Sequence, residues 1–346
     1  MIPHSRPTLD QDDAEAVSAV LKSGHLSQGK QVAQFENALA SFVGTRAGVA
    51  VSSGTAALHL SLLALKIGKG DEVILPSYVC TAPLNAVHLV SATPVIADID
   101  RNTFNIDVFD LKKRITRRTR AIIVPHMFGL PAELDEILSF EIPVIEDCAL
   151  SVGSRYKGRR TGSLGTLSIF SFYATKMIAT GEGGMVLSDR EDLIDAVRDL
   201  RDYDEKNKYA IRFNYKMTDF QAALGISQLK KLSSFVERRK EIAAIYSREL
   251  GALGLQAPFV PEGREHIYYR YIICVNSLLK FIEGMNQRGV ECRRPVFKPL
   301  HRYLGLSGYA ATDDVWDRAV SMPLYPSLRE MELQDIIESM RAMLRG

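Results

Sequence analysis

Three stretches of this chain carry residue types that could do chemistry together. The first is Ser52-Ser53-Gly54-Thr55-Ala56-Ala57-Leu58, which follows a β-rich run and opens a helical one. Free backbone N–H groups and the helix dipole converge at such a start, so Gly54 and Thr55 would make a good phosphate seat. The second is Val144-Ile145-Glu146-Asp147, an apolar run ending in a carboxylate at the edge where open α/β sheets present their ligands. The third is Ser168-Ile169-Phe170-Ser171-Phe172-Tyr173-Ala174-Thr175-Lys176, followed by the turn Gly181-Glu182-Gly183-Gly184. It places an amine just past a strand end, beside glycines that let backbone pass close to a bulky group.

Each stretch has an ordinary reading by itself: a helix N-cap, a loop cap or ion pair, a surface lysine. Together they supply what pyridoxal 5'-phosphate requires, namely an amine for a Schiff base, a carboxylate for the pyridine nitrogen and a phosphate seat. An anionic Asp147 would keep that nitrogen protonated, so that charge left by a departing α-proton can be delocalised. Lys176, displaced by the incoming amine, would then be free to act as the base that moves the proton.

These groups need elements to position them, and the chain provides a regular alternation. From Val49 to Asp189, β-rich runs alternate with helix-like segments, which predicts a mostly parallel sheet covered by helices. Seven strands are expected, at Val49–Ser53, Glu72–Pro76, Pro94–Ile99, Ala121–Met127, Pro143–Cys148, Leu167–Phe172 and Gly184–Ser188. Long charged helical stretches follow, Glu191–Arg201 and Asp219–Leu250. A strand-like run at Ile267–Val275, a Pro-rich stretch at Arg294–His301 and a closing helix near Glu330–Leu344 suggest a smaller α+β domain. The expected division is a large cofactor domain over 1–240 and a small C-terminal domain over 241–346.

Composition excludes several classes of function. The 43 basic and 41 acidic residues leave a formal charge of +2, so no global field recruits nucleic acid or an anionic membrane. Cys80, Cys148, Cys274 and Cys292 form neither a C-x-x-C pair nor a metal cluster, so no metal is expected and a reducing cytoplasm fits. The N-terminus has no apolar signal region and no run is long enough to span a bilayer, which points to a soluble protein. Gly24-His25-Leu26-Ser27-Gln28-Gly29-Lys30 imitates a nucleotide P-loop, but Gln31 replaces the magnesium-binding hydroxyl and no strand precedes it. Arg155-Tyr156-Lys157-Gly158-Arg159-Arg160 could meet a diphosphate, though a solvated basic hairpin is the simpler reading.

Motifs in order along nearly the whole length resemble the DegT/DnrJ/EryC1/StrS family of sugar aminotransferases. They are Ser23 to Gly29 with Phe35-Glu36, Ser52 to His59, Asp71-Glu72-Val73-Ile74, Glu146-Asp147, Ser171 to Lys176, Gly181 to Gly184, and Asn214-Tyr215-Lys216-Met217-Thr218-Asp219. The resemblance implies a fold-type-I pyridoxal-phosphate-dependent transferase with a seven-stranded sheet. It implies that Gly54, Thr55 and Ser171 hold the phosphate, Asp147 the ring nitrogen and Lys176 the imine. Asn214 would reach the phosphate from a second subunit, making a homodimer with shared active sites. The implied reaction moves an amino group, from glutamate or another amino-acid donor, to a keto carbon of a nucleotide-linked deoxysugar.

The chain departs from the family pattern at several points. Leu150 stands where the family usually has Gln or His toward the cofactor's phenolic oxygen, Cys80 where an aromatic stacks on the ring, and Lys216 where Arg is usual. His301, in Lys298-Pro299-Leu300-His301, aligns with a motif near the sugar and is a candidate substrate contact. Related dehydratases replace the lysine by histidine, so Lys176 favours transamination over a lyase. A cyclitol substrate and a non-catalytic regulatory protein on this fold are the other readings.

Overall fold

The computed structural model describes residues 1–345. Its strands are β1 (Ala47–Val51), β2 (Glu72–Pro76), β3 (Thr93–Ala97), β4 (Thr119–Pro125), β5 (Val144–Asp147), β6 (Arg155–Tyr156) and β7 (Arg159–Arg160). Then come β8 (Leu167–Ser171), β9 (Gly184–Ser188), β10 (Arg264–Glu265), β11 (Tyr271–Cys274) and β12 (Ala319–Met322). Seven of them form one sheet in the order β1-β9-β8-β5-β4-β2-β3, and these are the seven expected from sequence, with ends shifted by a few residues. Neighbours from β3 to β8 pair in parallel, while β9 runs antiparallel to both β8 and β1. Six strands therefore deliver their C-terminal ends to one edge.

Helices cover both faces, which is why the central strands are apolar without alternation: Ile122, Ile123, Val124, Val144 and Ile145 are all inaccessible. The helix Gly54–Ala64 begins three residues after β1 and is buried along most of its length, packed against β8, β9 and the helices Ala82–Leu89 and Glu191–Arg201. Its Ser53 cap accepts a hydrogen bond from Ala56 N–H at 3.1 Å, so the chain turns into helix at the strand edge.

A second core forms around the two-stranded sheet of β11 and β12 and gathers Ile242, Tyr246, Phe281, Met285 and Ile336. Ile2 joins it, paired with Val290, so the N-terminus belongs to this body. The helix Asp219–Ala252 runs without interruption through residue 240 and contributes to this second core through its last turns.

The strand expected at Ile267–Val275 is shortened to β11. Tyr268 has φ +50°, and the Ile267 and Arg270 amides donate to Gly129 and Phe128 carbonyls, so these residues pack on a loop of the large sheet. The basic run at Arg155–Arg160 is a hairpin of β6 and β7 that β10 extends. The Gly24–Lys30 loop joins two helices, Gln11–Ser23 and Lys30–Val43, with no strand before it.

Candidate active site

Five site residues lie at the C-terminal edge of the large sheet, each placed by the end of a strand. Gly54 and Thr55 follow β1, Asp147 ends β5, Ser171 ends β8, and Lys176 lies five residues beyond it. The first turn of the helix Gly54–Ala64 leaves the Gly54 and Thr55 amides without intrahelical acceptors. Ser171 closes on this turn: a Cβ added to Gly54 would come within 2.9 Å of the Ser171 Cβ. From the other side, a Cβ on Gly184 would come within 2.4 Å of the Ser53 carbonyl and 2.7 Å of the Gly54 nitrogen. The glycines thus let three backbone segments pack closely at the start of this helix, where its free amides lie.

Asp147 is buried, and its Oδ1 accepts one hydrogen bond, from Ala149 N–H at 3.0 Å. Burial raises its carboxyl above the usual range, opposed by the Ala149 amide and the charge of Lys176. A cationic N–H brought to its other oxygen would reverse that penalty. Glu146, one residue earlier, points the other way and has a purely internal role. It accepts from Gly162, Leu164 and Gly165 amides and from His126 Nε2 at 3.0 Å, while His126 Nδ1 accepts from Ala132 N–H. With both ring nitrogens and the carboxylate committed, the His126, Glu146 and Cys148 group is a structural knot and offers no metal site.

Cys80 lies in the loop after β2, solvent-accessible and electrostatically close to both Asp147 and Lys176. Burial against the surrounding protein raises its thiol, with the Asp147 carboxylate adding to the effect, so the side chain is neutral and soft. Leu150 is half-buried and packs against two cores of the large domain.

Two further sequence candidates lie on other segments. His301 is 2% exposed, its Nδ1 lies 2.6 Å from Ser77 Oγ, its Nε2 3.2 Å from Asp313 Oδ1, and its ring stacks on Tyr309. Both nitrogens are thereby engaged within the chain, leaving none for a substrate. Asn214 is exposed, on a segment whose neighbour Tyr215 accepts a hydrogen bond from Ser52 N–H at 2.7 Å. Lys216 is held by Asp202 at 3.0 Å and Asp204 at 2.7 Å.

One neighbour of Lys176 has no counterpart in the sequence motifs. The Lys176 Nζ lies 5.5 Å from the centre of the Tyr269 ring, whose hydroxyl meets Thr175 Oγ1 and Arg270 Nη2 at 3.4 Å each. No short-range pattern connects residue 269 to residue 176. Only the left-handed turn at Tyr268 brings it there.

The sheet order, with the helix start at Gly54, the buried Asp147 and Lys176 at one edge, is that of a fold-type-I transferase. The sequence profile of the DegT/DnrJ/EryC1/StrS aminotransferase family matches residues 7–341, and the chain belongs to that family. It is 34% identical to the GDP-perosamine synthase of Caulobacter vibrioides, over 98% of this chain and 97% of that one. The aminotransferase TlmJ from Streptoalloteichus hindustanus superposes with a TM-score of 0.95 at 31% identity, covering 100% of this chain and 99% of that one. The sugar aminotransferase candidate Spr1654 from Streptococcus pneumoniae, in its PLP form, superposes with a TM-score of 0.92 at 28% identity, over 99% and 98% of the two chains. No described helix is long and apolar enough to cross a membrane.

Proposed function

We propose that this aminotransferase uses pyridoxal 5'-phosphate to move an amino group from an amino-acid donor, glutamate first among them, to a keto carbon of a nucleotide-linked deoxysugar. The observation that carries this reading is the convergence of the Gly54 and Thr55 amides, the Asp147 carboxylate and the Lys176 amine on one sheet edge. The donor set fits the cofactor: the helix start at Gly54 and Thr55, against which Ser171 packs, would take the phosphate, and a carboxylate with one oxygen free would take the ring nitrogen. When bound, the cofactor supplies an electron sink for the charge left when a Cα proton departs.

The chain's own residues do the rest. Gly54, Thr55 and Ser171 would hold the phosphate end of the cofactor. An ionised Asp147 would hold the proton on the ring nitrogen. Lys176 would hold the cofactor through its amine and, when free, would be the base that accepts and returns the substrate's Cα proton. The GDP-perosamine synthase relative supports a nucleotide-linked sugar as acceptor.

The exposed Asn214 has Tyr203, Tyr209 and Ile211 exposed near it in the same loop, a surface that a second copy of the chain would cover. This supports a homodimer in which Asn214 reaches the phosphate of the partner's site. The test of function is incubation with isotope-labelled glutamate and a GDP-linked keto sugar. Label in an amino sugar supports the reading, and an unchanged keto sugar beside an intact, cofactor-loaded protein contradicts this acceptor class.

A further inference from the structure

Lys176, Arg239 and Arg270 gather around the Tyr269 side chain, and none of the three has a carboxylate within salt-bridge distance among the described residues. Tyr269 and Arg239 are the buried floor of this cluster, where Arg239 spends its Nη1 on the Tyr268, Tyr269 and Leu324 carbonyls at 3.3, 3.2 and 2.9 Å. Thr175, Lys176 and Arg270 are only half-buried, so a small molecule can reach them.

Arg270 is held in one pose. Its guanidinium stacks 4.8 Å from the Tyr269 ring centre, and its Nη1 donates to His4 Nδ1 at 3.0 Å. His4 Nε2 is in turn 2.8 Å from Ser321 Oγ, and burial followed by Arg270 and Arg293 pushes the His4 pKa down to about 2, so the ring stays neutral and can accept. The N-terminal segment thus braces Arg270 against the tyrosine. Nη2 makes one long contact, 3.4 Å to the Tyr269 hydroxyl, and Nε has no acceptor among the described residues. A guanidinium braced in advance with donors to spare suits a carboxylate, because little ordering remains to be done on binding. The nearby acids are committed elsewhere: Glu291 accepts from the His4 amide and pairs with Arg293, and Asp147 is placed for the ring nitrogen.

We propose that Arg270 binds a carboxylate of the amino-acid donor and so holds the donor's amine at Lys176. The Lys176 Nζ lies 5.5 Å from the Tyr269 ring centre and the Arg270 guanidinium 4.8 Å from the same point, so both charges border one side chain. The donor's amine has to come to the place of the lysine nitrogen, and its carboxylate then has only a short carbon chain to cross before it meets the guanidinium. The contact formed is a charge-assisted pair of N–H···O bonds, and no proton has to move to make it. This rests on the assignment of Lys176 as the cofactor lysine and of an amino acid as the donor.

Stopped-flow absorbance of the cofactor-loaded protein, mixed with one amine at a time and no sugar, tests it. Glutamate carries both carboxylates, alanine only the α-carboxylate and γ-aminobutyrate only the distal one. Arg270→Met, which keeps an apolar chain against the Tyr269 ring, is expected to weaken glutamate binding roughly tenfold to a hundredfold, with Arg270→Lys in between because charge survives and the fork is lost. Of the two single-carboxylate amines, the one whose carboxylate meets Arg270 should weaken by a similar factor and the other should be unchanged. Circular dichroism and borohydride fixation at Lys176 should match the wild type. Unchanged affinity for all three amines, or equal weakening of all three, overturns the proposal. So does a loss confined to GDP, measured by calorimetry, which would give the cluster to the sugar nucleotide. A wild-type cofactor indifferent to every amine overturns the donor reading itself, and this site with it.

Discussion

The Ser77 hydroxyl lies 2.6 Å from His301 Nδ1, and Leu300 N–H donates to the Ser77 carbonyl at 2.9 Å. Two contacts therefore pin the loop that carries Cys80 to a short helix of the C-terminal part, Leu300–Tyr303. His301→Ala takes the ring from the Ser77 hydroxyl, which then keeps only the 3.4 Å bond from the residue-301 amide, and is expected to cost about 1–3 kcal/mol of stability. Because the loop rather than the substrate is loosened, cofactor should dissociate faster while KM for the sugar changes little. Urea unfolding, together with cofactor retention on dialysis, measures both.

Acid should destabilise the fold early. Burial pushes His4 down to about 2 and His266 to about 3, from an ordinary 6.5. Both groups bind fewer protons folded than unfolded below pH 6.5, so stability is fully present above that value and falls as pH drops toward the folded values. At pH 5 each histidine is expected to have removed about 2 kcal/mol. Urea midpoints measured from pH 7 downward check this, and His266→Phe, which keeps the stack on Tyr268, should flatten the slope by roughly half.

Gly184→Ala probes the cradle from behind. The added methyl would press on the Ser53 carbonyl and the Gly54 amide, and backbone there has no room to give. The expected result is a folded protein whose affinity for pyridoxal phosphate falls by roughly tenfold or more, the loss of about one charge-assisted hydrogen bond. Fluorescence titration of both apo-proteins, with circular dichroism alongside, reports it.

The seven strands and the strand-to-helix turn at Gly54 were legible because buried parallel strands are continuous apolar runs and a helix that starts at a strand end has a short local signature. Asp147, Ser171 and Lys176 could be read for the same reason: each sits at or just past a strand end. Tyr269 could not, since its place beside Lys176 depends on a left-handed residue, Tyr268, that turns a promising strand into a loop. His301 was readable as a conspicuous histidine, yet its partners Ser77 and Asp313 come from distant chain, and their hydrogen bonds decide what it can do. The N-terminus showed no pattern at all, though Ile2 and His4 complete the second core and brace Arg270.

The central claim is that Lys176 forms the covalent bond to the cofactor. Borohydride reduction of the pyridoxal-phosphate-loaded protein, followed by peptide mapping, tests it most directly. The expected result is a single pyridoxyl-modified lysine at Lys176, lost in Lys176→Ala while circular dichroism stays unchanged. Label on another residue, Lys216 included, or undiminished fixation in Lys176→Ala, would contradict the account.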